Sequence, residues 1–286
     1  MWTPDHPRPR PTMRVAPAPL PDDPEVPMVR RSVRAQVKRM PVVGPAARRA
    51  AGRRGITAPM VDDDAAGPTS TYGDAYDYVF VVTHGRSGST LLTGILNSIP
   101  GYLVRGENQG YVHHLFKAHR AVMARRQSQL ASGEPTTSTH PWFGVEDYPP
   151  GVALDHMRRL VVDTLLRPAP DSRVLGFKEI RYGQQDVVEH LTFLRTLFPS
   201  TKFVFNTRNR EEVLRSDWWA DRDPADLDVI LTRMAAAEEA HADVSCHVHY
   251  DDYRDDAAAL QPLFDFLGEE FDVDTVREVM AVRHSY

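Results

Sequence analysis

Arg86-Ser87-Gly88-Ser89-Thr90 is the densest collection of anion-holding groups in the chain: one guanidinium, three hydroxyls and a glycine in five consecutive residues. It follows an apolar β-type run, Tyr78–Thr83, and leads into Leu91-Leu92, where a helical stripe begins. A strand that breaks at a short Gly/Ser loop and continues as a helix directs backbone N–H groups and a helix N-terminus at one point, where phosphate or sulfate can bind. Arg86 would add a permanent, bidentate charge; a lysine would act as a point charge. No Gly-Lys-Ser/Thr closes the loop, so the usual nucleoside-triphosphate site is not predicted. The plainer alternative is a strand-to-helix turn with Ser89 or Thr90 as helix cap.

Four further runs read as strands: Tyr102–Arg105, Val174–Lys178, Phe203–Asn206 and Cys246–Tyr250. Helical periodicity falls between them. Leu91, Leu92, Ile95, Leu96 and Ile99 form one stripe, and Val187, Leu191, Leu194 and Leu197 another. Val213 and Leu214 open a third, and Leu260, Leu263, Phe264 and Leu267 mark a fourth. Strands alternating with helices predict an α/β fold: a mostly parallel sheet flanked by helices. Residues 109–170 read as a mostly helical insertion, broken by the polar stretch Ser128–Thr139.

Ligands of such sheets bind beyond the carboxyl ends of the strands. The first four runs all deliver polar groups to that edge: the Arg86 loop, Gly106-Glu107-Asn108, Lys178-Glu179-Ile180-Arg181 and Thr207-Arg208-Asn209-Arg210. Arg208 and Ser216, eight residues apart with Ser216 on the ensuing helix, could clamp a second phosphate. Equally, Arg208 could be a surface ion pair and Ser216 a solvated helix residue.

Charge is unevenly spread. Residues 1–61 hold 12 Lys/Arg and 4 Asp/Glu, leaving 22 and 35 of the chain's 34 and 39 for residues 62–286. So acidic a body argues against a nucleic-acid partner. Residues 1–75 read as a disordered Pro/Arg-rich tail, preceding a domain at 76–286. Within the tail, Val29, Val33, Val37 and Met40 fall at helical spacing opposite Arg30, Arg31, Arg34, Lys38 and Arg39. Residues 28–55 could thus rest on anionic lipid or an acidic partner, or be a solvated tail. Cys246 is the only cysteine, no signal peptide or membrane span is visible, and a cytoplasmic location is expected, with peripheral contact at the inner membrane surface if the tail binds lipid.

Taken together, these motifs resemble a sulfotransferase dependent on 3′-phosphoadenosine 5′-phosphosulfate (PAPS), similar to carbohydrate and tyrosylprotein sulfotransferases. Arg86–Leu92 resembles that family's 5′-phosphosulfate loop, and Arg208-Asn209 with Ser216 its 3′-phosphate site. His249–Tyr253 and Leu263–Gly268 are similar to the tyrosine–acid segment and following helix near the end of many members. Bacterial members reading Gly85–Leu92, Arg105–Asn108, Gly176–Gly183, Phe203–Arg208 and Ser216–Trp219 are the nearest in pattern. Gly85 and Arg210 stand where prolines are frequent.

The resemblance implies a P-loop-type sheet and sulfuryl transfer from PAPS to a hydroxyl, with a carbohydrate or glycoconjugate as the leading acceptor and no metal. It makes Arg86, Ser87, Gly88, Ser89, Thr90, Arg208 and Ser216 donor-binding residues and Arg86, Lys178 and Glu107 catalytic, with Glu107 as the base. Glu107 could instead cap the next helix or pair with Arg105, and Lys178 could belong to a buried Lys–Glu pair. His84 is the second candidate base. His140–Gly144 and Trp218-Trp219 are expected near the acceptor. The rival readings are a P-loop nucleotide kinase or NTPase, and a non-catalytic nucleotide-binding module.

Overall fold

The computed structural model describes residues 75–134 and 136–282. The proposed basic segment at 28–55, and the tail to which it belongs, lie outside the described residues.

Five strands form one sheet: β1 (Asp77–Thr83), β2 (Tyr102–Arg105), β3 (Val174–Glu179), β4 (Thr201–Thr207) and β5 (Ser245–His249), in spatial order β2-β3-β1-β4-β5. Every pairing is parallel. β1 is central, and its register places Tyr78 beside both Leu175 and Thr201. The chain leaves β1 toward β2 on one side and later fills β4 and β5 on the other, so the C-terminal end of β1 is the switch point where such sheets bind ligands.

The period-2 pattern of β1 sorts its side chains into two cores. Tyr78, Phe80 and Val82 face one layer with Phe177, Phe203 and Phe205. That layer is covered by α2 (Tyr111–Ser132), α3 (Pro150–Leu160), α4 (Val187–Leu197) and α6 (Pro224–Ala240). Val79 and Val81 face the other with Val104, Val174 and Val204, beneath α1 (Ser89–Leu96), α8 (Gln261–Leu267) and α9 (Val273–Ala281). Aromatic rings fill the first layer, Phe80 and Phe177 with centroids 4.7 Å apart and Tyr78 and Phe198 at 4.5 Å.

The helical insertion is present, but α2 runs through Ser132 and the break begins at Gly133 (φ 64°). The third stripe is shorter than its sequence implies. α5 (Arg210–Leu214) ends after five residues, and a separate turn at Asp217–Trp219 follows before α6. Ser216 therefore lies beyond α5 in extended backbone, not on the helix (φ −77°, ψ 145°). α7 (Tyr250–Tyr253) directly follows β5.

Among the described residues no helix is long and apolar enough to cross a membrane.

Candidate active site

At the end of β1 the chain makes its sharpest local commitment. Arg86 has φ 66° and Gly88 φ 79°, so left-handed residues flank Ser87, an arrangement that turns successive N–H groups inward as an anion nest. A left-handed arginine costs about 1–3 kcal/mol and must be held by its surroundings. Three buried polar groups brace the next residue, Ser87, and so the turn. Thr83 Oγ1 lies 2.6 Å from Ser87 Oγ and donates to Asn206 O at 2.7 Å. Asn206 Nδ2 donates to Ser87 O at 3.0 Å, and Tyr253 donates to Asn206 Oδ1 at 2.8 Å. Burial pushes the Tyr253 phenol well above its ordinary value, so it remains a donor.

α1 begins at Ser89 with Gly88 as N-cap and no side-chain cap. Neither Ser89 nor Thr90 caps the helix, which leaves its first N–H groups facing a cavity of about 450 Å³. Gly88 is required for shape as well as backbone: a Cβ there would lie 2.0 Å from the Tyr250 ring. At Gly85 a Cβ would lie 2.7 Å from the Trp218 ring, which accounts for the glycine at this position.

The same cavity is lined by Arg86–Thr90, Glu107, Lys178, Arg208, Trp218, Tyr250 and Arg254. Arg86 is exposed into it, and its guanidinium has no partner among the described residues. Arg208 donates to Arg86 O (3.3 Å) and Glu212 Oε2 (3.1 Å), lies 4.9 Å from the Tyr250 ring, and keeps a buried Nε–H without a partner. Both readings of Arg208 meet here, ion pair and cavity wall.

Across from the loop, Lys178 Nζ donates to Glu107 Oε1 at 2.6 Å. Lys178 is nearly buried, whereas Glu107 is about one-third exposed. Arg181 Nη1 stands 3.7 Å from Glu107 Oε2. Glu107 does not pair with Arg105, whose guanidinium donates to Leu166 O and Arg167 O.

Other expected residues fall elsewhere. Ser216 is not among the lining residues, and its hydroxyl donates to Val213 O at 2.7 Å, so the structure does not pair it with Arg208. Ser87's hydroxyl is turned to Thr83, leaving its backbone to the loop. His140–Gly144 does not line the cavity; Trp142 and Phe143 sit exposed on the insertion, with Arg125 stacked 4.5 Å from Trp142. Of the tryptophan pair, Trp218 lines the cavity and Trp219 is buried. His84 is fully buried, its Nδ1 donating to Gly85 O at 3.1 Å. Burial first, then the charges of Arg208 and His249, hold it below the ordinary histidine value, so it is neutral at pH 7.

Sequence reasoning passed over Asn206 and Glu179. Asn206 is an amide ending an otherwise apolar strand, and a polar residue there was the available signal. Glu179 enters the sequence reading only as a neighbour of Lys178, and the structure pairs Lys178 with Glu107 instead. Among the described residues no group of three or more His, Cys, Asp or Glu is placed to hold a metal.

A parallel sheet carrying an uncapped anion loop at its switch point, with an arginine following the neighbouring strand, is the architecture of a site that can hold an anionic ligand. The chain belongs to the sulfotransferase family, whose pattern it matches over residues 78–273. Membership makes it a transferase of sulfuryl groups to a hydroxyl acceptor. Similar solved structures include the sulfotransferase domain of the Synechococcus PCC 7002 olefin synthase: 20% identity, TM-score 0.43, covering 74% of this chain and 80% of that one. The sulfotransferase domain from the curacin biosynthetic pathway is 14% identical, with TM-score 0.43 over 73% and 79%. A Mycobacterium tuberculosis sulfotransferase is 15% identical, with TM-score 0.37 over 75% and 73%. No curated protein matches the chain in sequence.

Proposed function

We propose that the cavity transfers a sulfuryl group from PAPS to a hydroxyl of a carbohydrate or glycoconjugate, with Glu107 as base. The observation that carries this reading is the meeting, in one cavity, of the unpartnered Arg86 loop, Arg208, and the Lys178–Glu107 pair. The Ser87–Thr90 N–H groups and Arg86 would receive the 5′-phosphosulfate, and Arg208, with its spare Nε–H, the 3′-phosphate. Ser216 would join Arg208 only by releasing Val213 O.

Sulfuryl transfer needs position and charge stabilisation more than covalent help. The acceptor oxygen forms a bond to sulfur as the bond from sulfur to the 5′-phosphate oxygen breaks. The electron pair of that bond leaves with adenosine 3′,5′-bisphosphate, and the acceptor's proton passes to Glu107. Oε1 is committed to Lys178, while Oε2, beyond hydrogen-bond distance of Arg181, is left to take that proton. Lys178 and Arg86 would neutralise charge developing on the transferred group and the bridging oxygen. Trp218 lines the cavity wall with its ring packed over Gly85 and the Arg222 guanidinium 3.9 Å from its centroid, so the ring edge, and not an open face, would meet an acceptor.

Turnover of labelled PAPS against sugars, glycolipids, phenols and tyrosine peptides, read as sulfated product by mass, tests this reading. Glu107→Gln should retain nucleotide binding and lose about 10²–10⁴-fold in rate. An unchanged rate removes Glu107 from the base role.

A further inference from the structure

The end of β3 carries two adjacent acidic–basic contacts to one loop, and the function above uses only one of them. Lys178 holds the Glu107 side chain. Its neighbour Glu179, 2% exposed and on the opposite face of the strand, holds that loop's backbone. Glu179 Oε2 accepts from Asn108 N at 3.1 Å and Gly110 N at 2.9 Å. Oε1 accepts from Ile180 N at 2.7 Å, Arg181 N at 3.2 Å and Arg181 Nη1 at 3.1 Å.

The loop needs such an anchor. It leaves β2, a four-residue edge strand, and passes through Gln109 at φ 60° and Gly110 at φ 71°. Two successive left-handed residues, one of them not glycine, do not hold themselves in place. Five N–H groups converge on the Glu179 carboxylate. An amide at that position would turn its own N–H₂ toward some of them, so the charge itself is required. Burial raises the Glu179 pKa, but hydrogen bonds from Gly110, Ile180, Asn108 and Arg181 outweigh it and hold the group ionised below the usual carboxylate range.

We propose that Glu179 is the positioning residue of this site, fixing the 106–110 loop so that the Glu107 carboxylate meets Lys178 and the acceptor. This rests on Glu107 acting as the base. Glu179 does not line the cavity and acts through the backbone of Asn108 and Gly110. Misplacing a catalytic group by about 1 Å costs roughly 10²-fold in rate.

The test compares wild type, Glu179→Gln, Glu107→Gln and the double variant, using PAPS with the best acceptor of the panel above. Glu179→Gln should accelerate amide exchange of residues 106–110 while β1 stays protected. It should lower kcat by roughly 10- to 100-fold with an unchanged KM for PAPS. In the double variant the Glu179 change should add less than about twofold to the loss from Glu107→Gln, because the two act as one unit. Unchanged exchange at 106–110 overturns the inference, as does a double-variant loss equal to the product of the single losses. A Glu107→Gln enzyme with full rate instead fells the base assignment, and the exchange result still decides whether Glu179 anchors the loop. If Glu179→Gln does not fold, Glu179→Asp carries the same comparison.

Discussion

The two walls of the cavity are built by different physics. The Arg86 wall is one continuous stretch of chain, a strand, five loop residues and a helix start, whose own backbone makes its shape, with Asn206 of β4 as a brace. The Glu107 wall is tertiary. Its loop is held by Lys178 and Glu179, about 70 residues away, through charge-assisted hydrogen bonds. A wall of backbone N–H groups suits a donor whose charge is fixed. A wall whose carboxylate and ammonium share a hydrogen bond suits a proton in transit. Damage to the first should therefore appear in nucleotide affinity, and damage to the second in turnover.

The largest effect is expected at Gly88. Gly88→Val forces a branched residue into φ 79° and against the Tyr250 ring, which should cost about 2–5 kcal/mol of stability and abolish nucleotide binding. Thermal denaturation with and without adenosine 3′,5′-bisphosphate checks both. A ligand-induced shift that survived would break the claim that backbone shape makes this wall. On the opposite wall, Lys178→Met should lower kcat about 10²-fold while nucleotide affinity changes less than about threefold. A parallel loss of affinity would erase the distinction between the walls. Asn206→Ala removes the brace from Ser87 O and leaves the Tyr253 hydroxyl without its acceptor, an expected loss of about 1–3 kcal/mol in urea unfolding.

The smallest effect concerns the packing behind the Glu107 loop. His190 is buried against Tyr182 and His113, with neither ring nitrogen partnered, and burial, reinforced by the charge of His113, lowers its pKa from 6.5 to about 3. The unfolded chain therefore binds a proton that the folded chain refuses. This contribution to stability is full above pH 6.5 and is lost as pH falls toward 3, by about 1.4 kcal/mol per pH unit. His190→Phe should flatten that slope between pH 6.5 and 5.5. Equal slopes in the two proteins would show that His190 titrates normally.

Legibility followed the same division. The strand-loop-helix signal of residues 78–92 and the polar groups at the strand ends rest on period and turn chemistry, which are local, and the parallel sheet follows from them. Ser216 went astray because helix length was extrapolated from Val213 and Leu214, and the chain leaves helical geometry after Leu214. The aromatic composition of His140–Gly144 does not say where the segment lies, and the structure places Trp142 and Phe143 away from the cavity. Glu179 was invisible as an anchor because its partners are backbone N–H groups of a distant loop, which no residue type advertises.

The proposed site holds one ligand with two anionic ends at one sheet rim. Calorimetric titration with adenosine 3′,5′-bisphosphate, adenosine 5′-phosphate and Mg-ATP, on wild type and Arg208→Ala, measures that directly. The bisphosphate should bind wild type at least about tenfold more tightly than the monophosphate, roughly 1.4 kcal/mol for the second anionic contact, and Arg208→Ala should remove the difference. Equal affinity for the two adenosines, or Mg-ATP as the tighter ligand, would contradict it.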